Sequence, residues 1–188
     1  MKLIIIILIL LIFAIFANIK RTSKSSIKKQ KRRGLLSGAE NKYEPEIWND
    51  KDYTQYHNCY DYAFNNINKD QKTKTQPGNN GGNSQIFKCT NIQNDMESDH
   101  PNIYIANYRD RCIPNYYKIA LMMDNGKDYH FLRQDDTGYW SQKIGANDIT
   151  NKDGNGNYII DPENANIKST NYNYNVLCNY YCVPNDYY

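Results

Sequence analysis

The second half of the chain repeats one pattern, in which apolar or alternating segments are separated by turn residues. This pattern predicts strands at 116–123, 129–134, 139–143, 158–160 and 175–183. Asn125-Gly126 is a strong hairpin signal, and the glycine-rich stretch 153–156 marks a further turn. The segment 116–123 is almost continuously apolar, which is typical of a central strand. Short connections make sequential strands antiparallel, so the pattern predicts an antiparallel meander.

A helix that carries a cysteine is predicted before these strands. Tyr60, Ala63, Phe64 and Ile67 recur at the spacing of one buried helical face, within a predicted helix at about 52–68. A second short helix is expected at about 99–111. Helix first and meander afterwards predicts an α+β fold.

The first 33 residues differ from the rest of the chain. Residues 3–17 form an unbroken apolar run, which spans about 23 Å as a helix and needs residues 18 and 19 to approach a hydrocarbon core of about 30 Å. We therefore predict a transmembrane anchor at 1–19, a basic juxtamembrane linker at 20–42 and the α+β domain at 43–188. The protein is expected to be a single-pass membrane protein that contacts the bilayer through residues 3–19. A cleaved signal peptide is the alternative, although Ile15 fits the small-residue cleavage pattern poorly.

Charge is distributed unevenly along the chain. Nine of the 23 Lys and Arg residues precede residue 34. Residues 34–188 therefore hold the other 14 together with all 20 Asp and Glu, which gives them a net charge of −6. A nucleic-acid-binding domain requires the reverse distribution. We therefore predict no nucleic-acid partner, and we expect the basic segment to lie on anionic lipid.

Cys59 and a histidine suggest thiol chemistry. Asn58 is a favourable N-cap residue, which places Cys59 in the first helical turn, where the thiolate form is favoured. A nucleophilic thiol needs a base within about 3 Å and a third polar group that orients the base. Of the three histidines, His57, His100 and His130, the last lies on a strand beside the predicted central strand. We predict His130 as the base; a half-buried, hydrogen-bonded strand histidine with a structural role is an equally supported interpretation.

Hairpin geometry suggests the third group. A three-residue loop with Gly138 in a left-handed conformation pairs Asp135 with Tyr139, which makes Gln142 a diagonal neighbour of His130. A four-residue loop would instead bring Ser141 or Lys143 to that position, and an ordinary polar role on an edge strand is the alternative for Gln142. We predict neither a cofactor nor a metal site.

Several ordered blocks together resemble a known group of proteins, most of them uncharacterised, from large DNA viruses and bacteria. The resemblance spans residues 38–184 and is carried by HNCYDYA at 57–63, QPG at 76–78, YKIAL at 117–121, DYHFLRQD at 128–135, GYWSQKIG at 138–145 and CNYYCVP at 178–184. The order of cysteine on a helix and histidine on a strand is similar to papain-like hydrolases of the NlpC/P60 and CHAP type. This resemblance implies a papain-like domain with the Cys-bearing helix packed on an antiparallel sheet, a peptide or amide substrate, and location in a virion membrane. In such enzymes the third residue is commonly His, Asn or an acid, where this chain has Gln142.

Five cysteines leave one unpaired if the others form disulfides. We predict a free Cys59 and two disulfides among Cys89, Cys112, Cys178 and Cys182, with all three pairings open. A zinc site is the alternative, but the Cys-x3-Cys spacing lacks a second close pair.

Two functions follow from these observations. The first is a membrane-anchored thiol hydrolase, a peptidase or amidase, with Cys59 as nucleophile, His130 as base and Gln142 orienting His130. The second is a non-enzymatic structural or interaction protein of a membrane or virion. Its contacts would use a tyrosine-rich surface, since the chain has 18 tyrosines and tyrosine is favoured at interfaces.

Overall fold

A computed structural model of the chain describes residues 11–15, 34–52, 54–78 and 86–185. The chain divides into two compact units, Met1–Arg33 and Gly34–Tyr188. In the first unit, residues 11–15 are helical and exposed. The rest of the predicted anchor at 1–19 lies outside the described residues. Within the described ranges, no helix has both the length and the apolar character needed to span a bilayer.

The second unit is built on one six-stranded antiparallel sheet with the strand order β1-β6-β2-β3-β4-β5. The last strand of the chain is therefore inserted between the first two, whereas β2 to β5 form the predicted meander. The six strands are β1 Tyr104–Ala106, β2 Tyr116–Asp124, β3 Asp128–Gln134, β4 Trp140–Lys143, β5 Ile149–Thr150 and β6 Val176–Pro184.

Both predicted turns are confirmed, and so is the predicted register of the second hairpin. Gly126 and Gly138 adopt the positive φ angles, +77° and +78°, that the two turns require. The amide of Asp135 donates to the carbonyl of Tyr139 at 2.8 Å, as the three-residue loop predicts. The predicted strand at 158–160 forms only isolated bridges, of Tyr158 with Lys152 and of Ile159 with Trp140.

The sheet buries a separate apolar cluster on each face, because successive side chains of a strand point to opposite sides. On β2, Ile119 and Leu121 belong to the first cluster, and Ala120 and Met122 to the second. The first cluster also holds Tyr129 and Phe131 of β3 together with residues of two helices. The second holds Leu132, Trp140 and Tyr174. Every side chain of β2 after Tyr116 is consequently buried.

The helices of this unit are few and short: α1 Pro45–Trp48, α2 Cys59–Ala63 and α3 Cys89–Asp99. The predicted helix at 52–68 is thus reduced to α2 and a short 3-10 helix at Thr54–Tyr56. Asn65 adopts a left-handed conformation with φ +54°, a common way for a helix to end. The helix expected at 99–111 is wrong, since that stretch contains β1 instead.

The predicted fold class is wrong in its main features. An N-terminal transmembrane helix followed by a papain-like α+β domain was expected, with a Cys-bearing helix as a principal element. Most of the described secondary structure is instead one antiparallel sheet accompanied by short helices, and the Cys-bearing helix has only five residues. The periodic spacing of Tyr60, Ala63, Phe64 and Ile67 overestimated the helix, because Ile67 packs in a different cluster, with Trp48 and Tyr62.

Candidate functional site

Cys59 is the first residue of helix α2, which starts with a complete capping box formed by Asn58 and Asp61. The side-chain oxygen of Asn58 accepts hydrogen bonds from the amides of Tyr60 and Asp61 at 3.0 and 3.1 Å, and the amide of Asn58 donates to Asp61 Oδ2 at 3.0 Å. This arrangement satisfies the amides of the N-cap residue and of two residues in the first turn. It also fixes the position of Cys59, which is a free thiol and buried.

Burial dominates the chemistry of this thiol. It raises the pKa of Cys59 to about 12, helped by the negative charges of Asp128 and Asp61. Hydrogen bonds with the backbone of Phe131 and of Cys59 itself lower the pKa by less than burial raises it. The thiolate is the reactive form of cysteine, and the raised pKa favours the protonated form of Cys59 at neutral pH in this conformation.

His130 and Gln142 meet as hairpin geometry predicts. His130 Nε2 and Gln142 Oε1 lie 2.9 Å apart, while Gln142 Nε2 donates to the carbonyl of Lys152 at 3.0 Å. That second bond fixes the orientation of the amide, so Gln142 presents its oxygen to the imidazole. His130 must then carry its proton on Nε2, which leaves Nδ1 as the basic nitrogen.

Tyr174 contacts the imidazole and Asp128 holds Tyr174 in place, and no sequence pattern indicated either role. The ring of Tyr174 stacks on that of His130 with a centroid distance of 4.8 Å. The Tyr174 hydroxyl donates to Asp128 Oδ2 at 2.8 Å. Burial lowers the pKa of His130 to about 4, against a smaller raising effect of the Gln142 hydrogen bond. His130 is therefore neutral at pH 7.

The structure brings His130 and Gln142 together, but it does not pair His130 with Cys59. Cys59 packs in the cluster on the first face of the sheet, whereas His130 contacts Tyr174 of the second cluster. No hydrogen bond joins these two side chains in the described part of the chain. The thiol instead bonds to the backbone of Phe131, the residue after His130. The catalytic roles of Cys59, His130 and Gln142 remain predictions.

A second buried polar cluster, which the sequence analysis missed, lies between α2 and the β3–β4 hairpin. Arg133 is fully buried and reaches Asp135 Oδ1 at 3.5 Å. Asp135 accepts a hydrogen bond from Ser141 at 2.8 Å, and Ser141 lies 2.6 Å from the Tyr62 hydroxyl. The cluster has no opening to solvent at these residues. In the described ranges, no group of three or more His, Cys, Asp or Glu residues could hold a metal ion.

The disulfide prediction is confirmed, and the pairing is now defined. Cys89 of α3 bonds to Cys178, and Cys112 bonds to Cys182. Both C-terminal partners lie on β6. The disulfides thus tie the last strand to a helix and to the loop that follows β1.

These features define a disulfide-bonded protein that consists mainly of one antiparallel β-sheet and has one buried free thiol. The chain is similar to insoluble matrix shell protein 1 of Ruditapes philippinarum, with 34% identity over 124 residues that make up 66% of this chain and 80% of that protein. At this identity and coverage, the chain belongs to the family of that shell protein. No family model matches the chain, and no solved structure matches it significantly.

The predicted location as a single-pass membrane protein is wrong on two findings. The described residues contain no helix able to span a bilayer, and the relative is named as a protein of an insoluble matrix. The apolar run at 3–17 was interpreted from length and hydropathy alone, and those criteria do not distinguish an anchor from other apolar N-terminal segments. The resemblance to papain-like hydrolases and to viral proteins stays a hypothesis.

Proposed function

We propose that this chain is a non-enzymatic structural protein that contributes to an insoluble matrix. The observation that carries this proposal is the family relationship to insoluble matrix shell protein 1. Two disulfides that converge on β6 support it, because cross-links over long loops stabilise a small domain outside the reducing cytosol. The chemistry of Cys59 also supports it, because a buried thiol with a pKa of about 12 is inert at neutral pH.

A structural role needs surfaces for contact with other molecules. Apolar side chains are exposed beside the edge strand β1: Tyr104 is 36% exposed, Ile105 54% and Ile113 53%. Edge strands of sheets present unpaired backbone groups and favour association with a further chain. We assign this surface to contact with copies of the same chain in the matrix.

Sedimentation tests this proposal. The purified full chain with both disulfides formed is expected to give pelletable assemblies whose amount rises with protein concentration. The double variant Tyr104→Ser/Ile105→Ser should form fewer, whereas Cys59→Ala should assemble like the wild type. A chain that stays monomeric at every concentration would refute the proposal, as would assembly that depends on Cys59. Near-UV circular dichroism would confirm that each variant is folded.

We propose thiol hydrolysis of a peptide or amide bond as a second candidate. The hydrogen bond between His130 Nε2 and Gln142 Oε1 favours it, because this contact orients a catalytic base. In this proposal Cys59 attacks the carbonyl, His130 accepts the thiol proton and returns it to the leaving amine, water then hydrolyses the thioester, and Gln142 holds the imidazole. The step requires a second conformation in which the thiol and the imidazole meet, because Cys59 and His130 pack on opposite faces of the sheet in the structure described. The free state of Cys59 is compatible with that role.

Alkylation with iodoacetamide separates the two candidates. The structural proposal expects Cys59 in the folded chain to react at least about a hundredfold more slowly than a model thiol at pH 7.5, given its raised pKa. The hydrolase proposal expects faster labelling than a model thiol, with a strong decrease in His130→Ala. Gln142→Leu is the matched variant, since it removes the orienting group and leaves both reacting groups in place.

A further inference from the structure

We propose that Tyr139 and Tyr158 form a site for oxidative coupling, at which the two rings become joined as dityrosine. Their ring centroids lie 4.8 Å apart with an interplanar angle of 27°. Three other tyrosine pairs are more distant: Tyr104–Tyr116 at 5.6 Å, Tyr108–Tyr180 at 5.7 Å and Tyr172–Tyr174 at 6.1 Å. Coupling requires two phenoxyl rings in contact, which the Tyr139–Tyr158 stack supplies.

The backbone holds this pair in place. Tyr158 pairs with Lys152 and Ile159 with Trp140 in isolated bridges, and the amide of Trp140 donates to the carbonyl of Ile159 at 2.9 Å. Tyr139 directly precedes Trp140 and Tyr158 directly precedes Ile159, so the Trp140–Ile159 bridge brings the two tyrosines side by side. The stack is set by the fold and does not depend on chance contact between free side chains.

Access and charge determine how the site is oxidised. Tyr158 is 50% exposed, so an oxidant can reach its ring from solvent. Lys152 Nζ lies 3.0 Å from the centroid of the same ring. A cation over an aromatic face is stabilised by the electrons of the ring, so it opposes removal of an electron. Lys152 thus slows oxidation of the Tyr158 ring in the resting protein.

The reaction is a two-electron oxidation with hydrogen peroxide acting through a haem peroxidase. Each phenol loses one hydrogen atom from its hydroxyl group, and the two radicals form a carbon–carbon bond between ring positions ortho to the oxygens. The ortho hydrogens then move to the oxygens, which restores both phenols. One hydrogen peroxide is reduced to two water molecules. The product links the β3–β4 hairpin covalently to the segment at 151–160. This cross-link is a property of the single chain and goes beyond the proposed role in a matrix.

The sequence makes the product easy to identify. Trypsin releases peptide 134–143, in which Tyr139 is the one tyrosine, and peptide 153–168, in which Tyr158 is the one tyrosine. Mass spectrometry of the oxidised full chain should find these two peptides linked, with the mass of two hydrogens lost. Because the pair lies within one chain, the yield per chain should not change when the protein is diluted tenfold.

Variants of the full chain complete the test. Tyr139→Phe and Tyr158→Phe should each abolish the linked peptide, whereas Tyr172→Phe should leave its yield unchanged. Lys152→Gln should speed formation of the linked product about two- to five-fold, the factor that matches an exposed cation–π contact. Trypsin cannot cleave at position 152 of this variant, so its linked product joins peptides 134–143 and 144–168. Two results would overturn the proposal: oxidation that couples other tyrosines without linking peptides 134–143 and 153–168, or linkage that disappears on dilution. The sedimentation behaviour of the unoxidised chain is unaffected by either result, so the matrix proposal is judged separately.

Discussion

The guanidinium carbon of Arg133 lies 4.0 Å from the ring centroid of Tyr62, inside the core. Arg133 also donates to the carbonyls of Tyr62 and Lys42 and to the side-chain oxygen of Asn65. One buried cation thereby connects strand β3, helix α2 and the entry segment before α1. Only arginine has enough donors in a planar arrangement to make these contacts together.

Replacement of Arg133 should therefore destabilise the domain strongly. Arg133→Lys removes the planar donor set and disrupts the buried ion pair with Asp135, so we expect a loss of about 3–5 kcal/mol in the free energy of unfolding. Urea denaturation with the disulfides intact measures this loss. Arg111→Lys is the matched control, because Arg111 is exposed. A loss below about 0.5 kcal/mol for Arg133→Lys, typical of surface substitutions, would contradict the packing described.

Removal of either disulfide should also be costly. The cysteines are 89 residues apart in Cys89–Cys178 and 70 residues apart in Cys112–Cys182, and cross-links over loops of this length contribute roughly 4 kcal/mol in the chain-entropy account. We expect Cys112→Ala/Cys182→Ala to lose about this amount. Cys59→Ala is the control for cysteine removal without loss of a disulfide. Equal stability of the double variant and the wild type under oxidising conditions would refute this expectation.

Acid should weaken the fold through His130. Its pKa is about 4 in the folded chain and about 6.5 in an unfolded one, so the unfolded chain binds the proton more readily. Stability from this residue is complete above pH 6.5 and declines as the pH falls toward 4, by roughly 2–3 kcal/mol. Burial raises the pKa of Asp135 to about 7, and its protonation stabilises the fold over the same range.

Comparing the wild type with His130→Gln isolates the contribution of His130 to the pH dependence of the unfolding free energy, because Asp135 is present in both proteins. We expect the difference in unfolding free energy between the two proteins to shrink as the pH falls from 7 to 4.5. Urea titrations at a series of pH values measure it. A difference that does not vary with pH would show that the imidazole is not buried in its neutral form.

Loss of the N-cap should weaken helix α2. Asn58→Ala removes an oxygen that accepts two amide hydrogen bonds and an amide that donates to the carbonyl of Thr75 at 2.7 Å, so we expect a loss of about 1–2 kcal/mol. Asn58→Asp keeps the accepting oxygen and should lose less. Thermal unfolding of the two variants tests this ranking, and equal losses would mean that the cap does not stabilise α2.

Local chemistry made part of this structure predictable. The Asp135–Tyr139 pairing, the contact of Gln142 with His130 and the free state of Cys59 all followed from turn geometry, strand alternation and an odd number of cysteines. Each depends on residues close in sequence or on simple counting, which a single sequence records directly.

Other features depend on contacts between distant segments, and the sequence does not record these. Strand β1 has three residues and no apolar alternation, so it exists only because β6 pairs with it. Tyr174 reaches His130 from a loop 44 positions away in the numbering. The burial of Arg133 contradicts the usual preference of arginine for the surface and could not be read from its neighbours.

The place of β6 in the sheet has a consequence for biosynthesis. Val176–Pro184 follows the other five strands in the described part of the chain, yet it separates β1 from β2 and carries one cysteine of each disulfide. While the ribosome still holds these residues, the nascent chain can form the β2–β5 meander but neither complete the sheet nor close a correct cross-link. A chain that stops before Val176 would consequently lack the middle of the fold and leave Cys89 and Cys112 without their partners, in addition to the free Cys59.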